Sequence, residues 1–352
     1  MKKSARRKRC RAVVLWTIGG IALMQLALGL AIDAALPGVR DPEYVHRERL
    51  LHERLAEAKE KPSVVMIGSS RVQNGFDAAT ASFELQGEAI VFNFGIPTSG
   101  PFLERIWIER LHQSGITPDV LCIEVIPAYF NASHAPQDLR SLDGARLTGR
   151  ELANIRTCWN TLEGPIKRWV RSRALPSQRH QAELHDALRI DEPRQGRRVH
   201  AELSKTDRQG WQARSIPPEL IDPLKGLAHR QYDPCFQDFK LSGDQAEVLE
   251  ELLARCEREG IKAALVLTPE GSEFRALYSP AMTASIDEML ARLHDRHGVP
   301  IIDARAWIDD AQFSDMHHLL PEGAKEFSVR LAKEGIAPLL RDTAGVARKS
   351  RR

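Results

Sequence analysis

With 352 residues, 43% of them hydrophobic and 28% charged, the chain has the make-up of a globular protein with room for one large domain or two small ones, which excludes bulk disorder. The formal net charge of +3 comes from basic clusters at the two ends, Lys2 to Arg11 and Arg348 to Arg352, so the intervening chain is net acidic. That distribution argues against a nucleic-acid partner, which would need basic residues gathered on the folded domain itself.

Behind the basic tail of residues 1–11, residues 12–36 carry a single ionisable side chain, Asp33, and are apolar on nearly every helical face. Such a run can cross a bilayer, which takes roughly 20 residues. A cleaved signal peptide shares the basic start and apolar centre, but the length of this run favours an uncleaved anchor. With the basic cluster ahead of the span, the N-terminus is expected in the cytoplasm. The chain then reads as a single-pass protein of the cytoplasmic (inner) membrane, with its main domain periplasmic or otherwise extracytoplasmic.

Residues 37–62 form a connecting segment whose helix, from Asp41 to Lys61, ends at Pro62. The first part of the core, 63–138, opens on a buried strand, Ser63 to Ile67, which runs into Gly68-Ser69-Ser70. A second apolar strand, Ala89 to Phe94, a helix from Pro101 to about Ser114 and a third strand, Val120 to Ile126, follow. Strand, helix, strand in this order predicts a parallel sheet covered on both faces. Residues 139–243 break the rhythm: they are rich in Arg, Gln, His and Asp, show short helical stretches at Glu163 to Ser172 and Gln181 to Leu188, and read as a helical and irregular insertion over the carboxyl edge of the sheet. Trp159, Trp169 and Trp211 are expected to pack a small satellite core within it, rather than a sugar-stacking platform.

The second part of the core, 244–341, resumes the alternation. A helix from Asp244 to Gly260 has Val248, Leu249, Leu252, Leu253 and Cys256 on its inner face; strand four is Ala263 to Leu267, and a helix from Met282 to His297 follows. Strand five, Pro300 to Asp303, and a closing helix, Pro321 to Glu334, complete the domain ahead of a basic tail, 342–352. Cys122 reads as a core residue. In an oxidising compartment a disulfide among Cys158, Cys235 and Cys256 is open, with Cys158 and Cys235 able to pin the ends of the insertion. No cysteine pair has metal-ligand spacing, and neither a metal nor a cofactor is expected.

Three loops point to one crevice: Gly68-Ser69-Ser70 after strand one, Asn93-Phe94-Gly95 after strand two, and Asp315-Met316-His317-His318 ahead of the last helix. Gly and Ser also follow strands simply as turn and cap residues. Together, though, hydroxyl, backbone donors, imidazole and carboxylate are the parts of an acyl-transfer site. Ser70 would attack a carbonyl as His318 takes its proton, with Asp315 fixing the imidazole tautomer. Backbone N–H groups of Ser70 and Gly95 would face the oxyanion.

The order and context of these loops resemble the SGNH (GDSL-like) hydrolase superfamily. Gly68-Ser69-Ser70 resembles its first block, Asn93-x-Gly95 followed by Gly100 its second, and Asp315-x-x-His318 followed by Leu319, Pro321, Glu322 and Gly323 its fifth. The third block departs, since Glu124 to Asn131 replaces the usual Gly-x-Asn-Asp, and Asn131 is the nearest stand-in for the missing donor. The resemblance implies a three-layer, flavodoxin-like α/β fold with about five parallel strands and a Ser70-His318-Asp315 triad. It is also similar to D-alanine transfer and polysaccharide O-acetylation proteins, which implies a cell-envelope glycan or lipid ester as substrate and a membrane acyltransferase as partner. Arg71, Asn93, Asn131 and His317 are the candidate substrate contacts, with a buried structural ion pair the competing role for Arg71, while Thr268, Pro269 and Glu270 are expected to line the site. The alternative function is an SGNH-like envelope binding or assembly protein that has lost turnover.

Overall fold

The structure, a computed structural model, describes residues 2–133, 143–154, 163–188 and 203–341. In chain order the principal elements are α1 (Lys2–Ala35), α2 (Pro42–Glu57), β1 (Ser63–Gly68), α3 (Ser70–Gly75), α4 (Ala78–Glu84), β2 (Ile90–Gly95), α5 (Pro101–Gln113), β3 (Val120–Glu124), α6 (Glu163–Ala174), α7 (Gln181–Ala187), α8 (Ile221–Phe236), α9 (Gly243–Glu259), β4 (Lys262–Leu267), α10 (Pro280–His297), β5 (Ile301–Asp303) and α11 (Pro321–Leu331). They divide into two compact units, one of residues 1–45 with 143–201, the other of residues 46–142 with 202–352.

The first unit is built on α1. Its stretch Arg7–Ala35, 29 residues, is long and apolar enough to cross a membrane, and Leu15, Trp16 and Leu23 stand exposed along it. Toward the end of that stretch polar side chains are answered by α6 and the turn after it. Gln25 Nε2 donates to Ser177 Oγ at 2.8 Å, and Asp33 pairs with Arg173. Arg173 also donates to the carbonyls of Leu147 at 2.7 Å and Ala145 at 3.2 Å. A lone carboxylate beside an apolar helix is costly unless paired, and this network supplies the pair.

The second unit holds a five-stranded parallel sheet in the order β2-β1-β3-β4-β5. This is the flavodoxin-like order, in which the chain reverses its direction of travel across the sheet beside β1 and opens a crevice at the carboxyl ends of β1 and β3. Strands β1, β2 and β3 are buried along their whole length, as the continuous apolar runs of a doubly covered parallel sheet require. One face carries Val64, Met66, Val91, Val120, Cys122 and Val266 against Phe76, Phe327 and Leu331 of the α3, α4 and α11 layer. Phe76 and Phe327 meet edge to face at 6.5 Å, and burying each such side chain stabilises by about 1.5–3 kcal/mol. On the other face α9 packs against β4 and α5, with the predicted stripe Val248, Leu249, Leu252, Leu253 and Cys256 fully buried and Gly260 closing the helix at φ 71°.

The insertion departs from its sequence reading in two ways. Ile221–Phe236 is a 16-residue helix, with Tyr232, Cys235 and Phe236 buried; Pro223, Gly226 and Pro234 mask it in the sequence because they read as helix breakers. Of the three tryptophans expected in a satellite core, Trp159 lies outside the described residues, Trp169 belongs to the first unit, and Trp211 packs against the main core of the second. Cys158 likewise lies outside the described residues, and Cys235 and Cys256 are both buried.

Candidate active site

The register of the sheet places the site. Gly68, the last residue of β1, pairs with Gly95 at the end of β2, while Glu124 ends β3 opposite Val266 of β4. A Cβ on Gly68 would fall 2.6 Å from Glu124 Oε2, and one on Gly95 would strike the backbone of Gln73. Both glycines therefore let α3 close tightly onto the strand ends. The two serines then divide their duties. Ser69 is the helix cap, its Oγ accepting the N–H of Arg71 at 3.1 Å. Ser70, the first residue of α3, is left with its hydroxyl aimed at His318, Oγ to Nε2 2.8 Å. The cap expected of a Gly-Ser-Ser turn and a hydroxyl paired with an imidazole are thus both present, on adjacent residues.

His318 is delivered by a loop that Asp315 shapes. An isolated bridge between Phe313 and Leu319 closes the loop, and the N–H of Ser314 donates to the His318 carbonyl at 2.8 Å. Asp315 Oδ1 accepts the N–H groups of both His317 and His318 at 2.8 Å, and its Oδ2 lies 2.7 Å from His318 Nδ1. Burial works against the Asp315 charge, but its electrostatic attraction to, and hydrogen bond with, the His318 ring outweigh it and hold the carboxyl well below the usual carboxylate range. An ionised carboxylate only accepts, so Nδ1 carries the proton and Nε2 is free to receive that of Ser70.

His317 is enclosed beside the triad, its ring 4.7 Å from Tyr232 and 5.4 Å from Phe274, centroid to centroid. Burial first, and the neighbouring His318 second, push its pKa well below the ordinary histidine value, so it is neutral. Under the same aromatic wall, Arg71 pairs with Glu270 at 2.8 Å, its guanidinium 4.6 Å from the Phe274 ring, and Tyr278 donates its hydroxyl to the same Glu270 oxygen at 2.9 Å. Burial opposes the Arg71 charge, Glu270 overrides it, and the net shift is upward.

Several expected contacts are corrected by these partners. Arg71, only 4% exposed, is a buried ion-pair residue, since its charge could not enter the interior without Glu270. Asn93 is fully buried and stitches β2 to α3, donating to the carbonyls of Val72 and Phe76 at 2.7 Å each. Its Oδ1 accepts the Gly95 N–H at 2.8 Å, so that N–H is already committed and Gly95 is not the oxyanion donor. Asn131 donates to the carbonyls of Cys235 at 2.9 Å and Gln237 at 3.0 Å, bracing the end of α8 instead of replacing the missing third-block donor. Thr268 and Glu270 reach the back of the site through Glu124 and Arg71. The N–H of Ser70, in the first turn of α3, has no intrahelical partner and remains available to an oxyanion.

The ligand atoms of Asp315, His317 and His318 lie within 4.8 Å of one another, close enough for a metal ion. Both His318 ring nitrogens are, however, already engaged by Ser70 and Asp315, so a metal there would displace the hydrogen bonds that define the triad. Two contributors escaped the sequence reading: Tyr232, hidden in the proline-containing α8, and Arg214, which follows an irregular stretch and whose Nη2 lies 4.0 Å from Asp315 Oδ2. Neither sits in a motif, and only the fold brings them to the site.

Residues 30–142, less than half of the chain, match a family model described as a protein of unknown function (DUF1574). Comparison with curated proteins finds no match. Among solved structures, the chain is similar to the lipase/acylhydrolase from Enterococcus faecalis at 12% identity and a TM-score of 0.36, over 78% of this chain and 94% of that one. It is also similar to LAE5, an alpha/beta hydrolase enzyme from the metagenome of Lake Arreo, Spain, at 15% identity and a TM-score of 0.35, over 77% of this chain and 94% of that one.

Proposed function

We propose that the chain is a serine-dependent ester hydrolase or O-acyltransferase of the SGNH type, held at the cytoplasmic membrane by α1 and acting on a cell-envelope glycan or lipid ester outside it. The observation that carries this reading is the unbroken line from Ser70 Oγ to His318 Nε2 at 2.8 Å and from His318 Nδ1 to Asp315 Oδ2 at 2.7 Å. A binding or assembly protein without turnover would have no use for a buried carboxylate that fixes this tautomer, so the same geometry favours catalysis over that alternative.

The chemistry follows from the geometry. Ser70 Oγ bonds to the ester carbon as its proton passes to His318 Nε2. The resulting imidazolium is stabilised by Asp315, and the carbonyl oxygen takes up negative charge opposite the Ser70 N–H. The tetrahedral adduct collapses by breaking the bond to the alcohol oxygen, which leaves with the proton from His318. Water, or the hydroxyl of a glycan, then gives a proton to His318 and attacks the acyl-serine, releasing free acid or a new ester and restoring Ser70. Hydrolase and transferase differ only in that acceptor; a membrane acyltransferase partner would load Ser70 from the other side of the bilayer. The basic cluster in the first turns of α1, at the start of its apolar stretch, supports the outward orientation.

The test is release of 4-nitrophenol from 4-nitrophenyl acetate by the detergent-solubilised full chain. Turnover that disappears in Ser70→Ala and in His318→Ala supports the reading; turnover that survives in Ser70→Ala removes it.

A further inference from the structure

One charged group beside the triad is not used by the chemistry above. The segment that carries it is fixed to the nucleophile's own helix. Asp207 Oδ1 accepts the N–H groups of Gln209 at 2.8 Å and Trp211 at 2.9 Å, and the turn is held at Gly210, φ 87°, where any side chain would strike the Asn93 carbonyl. The Gln212 N–H donates to Gln73 O at 3.1 Å, Asn74 Nδ2 returns a bond to Gln212 O at 3.0 Å, and Trp211 Nε1 donates to Asn74 O at 2.8 Å. Gln73 and Asn74 belong to α3, whose first residue is Ser70. The backbone two residues ahead of Arg214 is therefore tied to the same helix as the attacking hydroxyl.

From that anchor Arg214 reaches the triad, its Nη2 4.0 Å from Asp315 Oδ2. That distance is beyond a hydrogen bond, and the Asp315 oxygens are turned to two backbone N–H groups and His318 Nδ1. Among the described residues the Arg214 guanidinium donates no hydrogen bond at all: its Nε is buried without an acceptor, while the side chain as a whole keeps 26% of its exposure. A guanidinium offers five donors in a planar fork suited to a pair of oxygens. Arg71, by contrast, has Glu270 on its fork.

We propose that Arg214 binds an anionic group, a carboxylate or a phosphate, carried by the ester that reaches Ser70. This rests on Ser70 being the nucleophile and narrows its substrate to an acidic ester. Two anionic oxygens would answer donors the chain leaves open, and charge-assisted, forked pairing of this kind is about twice as strong as a neutral hydrogen bond. Its placement next to Asp315 also orients the substrate against the face of the triad, since a bound anion is repelled by the carboxylate and drawn toward the guanidinium.

Two measurements on the full chain in detergent test this. The first compares kcat/KM for the monoanionic 4-nitrophenyl hemisuccinate with that for the neutral 4-nitrophenyl acetate; the ratio is expected to fall at least tenfold in Arg214→Gln, with Arg214→Lys in between. The second is calorimetric titration of Ser70→Ala with inorganic phosphate, which needs no turnover and should show binding that weakens at least tenfold when Arg214→Gln is added. Equal loss on both esters would make Arg214 only a positioning residue for Asp315 and overturns the proposal, as does an absence of phosphate binding or binding indifferent to Arg214→Gln. If neither ester is turned over but phosphate binding depends on Arg214, the anion site stands and the ester chemistry falls.

Discussion

Glu124 Oε2 accepts the backbone N–H of Ser69 at 2.6 Å, and its other oxygen takes the Thr268 hydroxyl at 2.8 Å. This carboxylate, at the end of β3 and 2% exposed, stands where the SGNH resemblance expects a different block, and it ties the turn ahead of the nucleophile to β3 and β4. Glu124→Ala would leave the Ser69 N–H buried without an acceptor, a loss of about 1–3 kcal/mol. It should lower kcat more than it raises KM, because the turn carrying Ser70 loosens. Glu124→Gln keeps one carbonyl acceptor and should recover part of both effects, as read from denaturant unfolding and steady-state kinetics.

Asp315 is the most strongly committed carboxylate of the site. Asp315→Asn keeps the shape of the loop but removes the charge that stabilises the imidazolium, and a loss of about 10³–10⁴-fold in kcat is expected, the scale such triads show. Because its folded pKa is depressed, the stabilisation it gives is fully present above the unfolded carboxyl value of about 4 and is lost as pH falls below it. The difference in melting temperature between the wild type and Asp315→Asn should be constant from pH 7 to 5 and narrow below pH 4.

His317 acts in the same direction, over a higher pH window. It stays neutral in the folded chain, whereas the unfolded chain takes up a proton as pH falls through about 6.5, so the wild type should lose stability on the acid side of that value. His317→Phe preserves an aromatic ring between Tyr232 and Phe274 and removes the titration. Its melting temperature should therefore fall less between pH 7 and pH 5 than that of the wild type, measured by differential scanning fluorimetry.

Asn131 is assigned to structure by its four backbone partners, the carbonyls of Cys235 and Gln237 and the N–H groups of Ser133 and Lys240. Asn131→Ala is expected to cost about 2–3 kcal/mol of stability through buried groups left unpaired. Its kcat on a neutral ester should change less than threefold below the melting temperature. A large kcat loss in a fully folded Asn131→Ala protein would restore it to the site.

What could be read from the sequence was what is local. Apolar runs such as Val64 to Ile67 and the stripe of α9 announce their burial directly, and Asp315 and His318 meet because three residues separate them on one turn of chain. The placing of the Ser70 hydroxyl at a strand end was legible because the apolar run of β1 stops at Gly68-Ser69-Ser70. What could not be read depends on pairs distant in sequence. Arg71 finds Glu270 across 199 positions, so the sequence leaves a substrate contact and a buried ion pair both open for a residue one step from Ser70 until its partner is seen. Asn93 and Gly95 follow their strand as a site loop would, yet the Asn93 side chain closes on the Gly95 N–H two residues away, a choice set by how α3 packs above it. Arg214 lies in a stretch with no motif, and only the turn around Gly210 carries it to Asp315.

The central claim is that Ser70 is a nucleophile activated by His318. The most direct measurement is labelling of the solubilised full chain with a fluorophosphonate probe, followed by mass-spectrometric mapping of the modified residue. A single adduct on Ser70, absent in Ser70→Ala and strongly slowed in His318→Ala, is the predicted result. A correctly folded wild-type chain that takes up no probe, or takes it up on another serine, would contradict it.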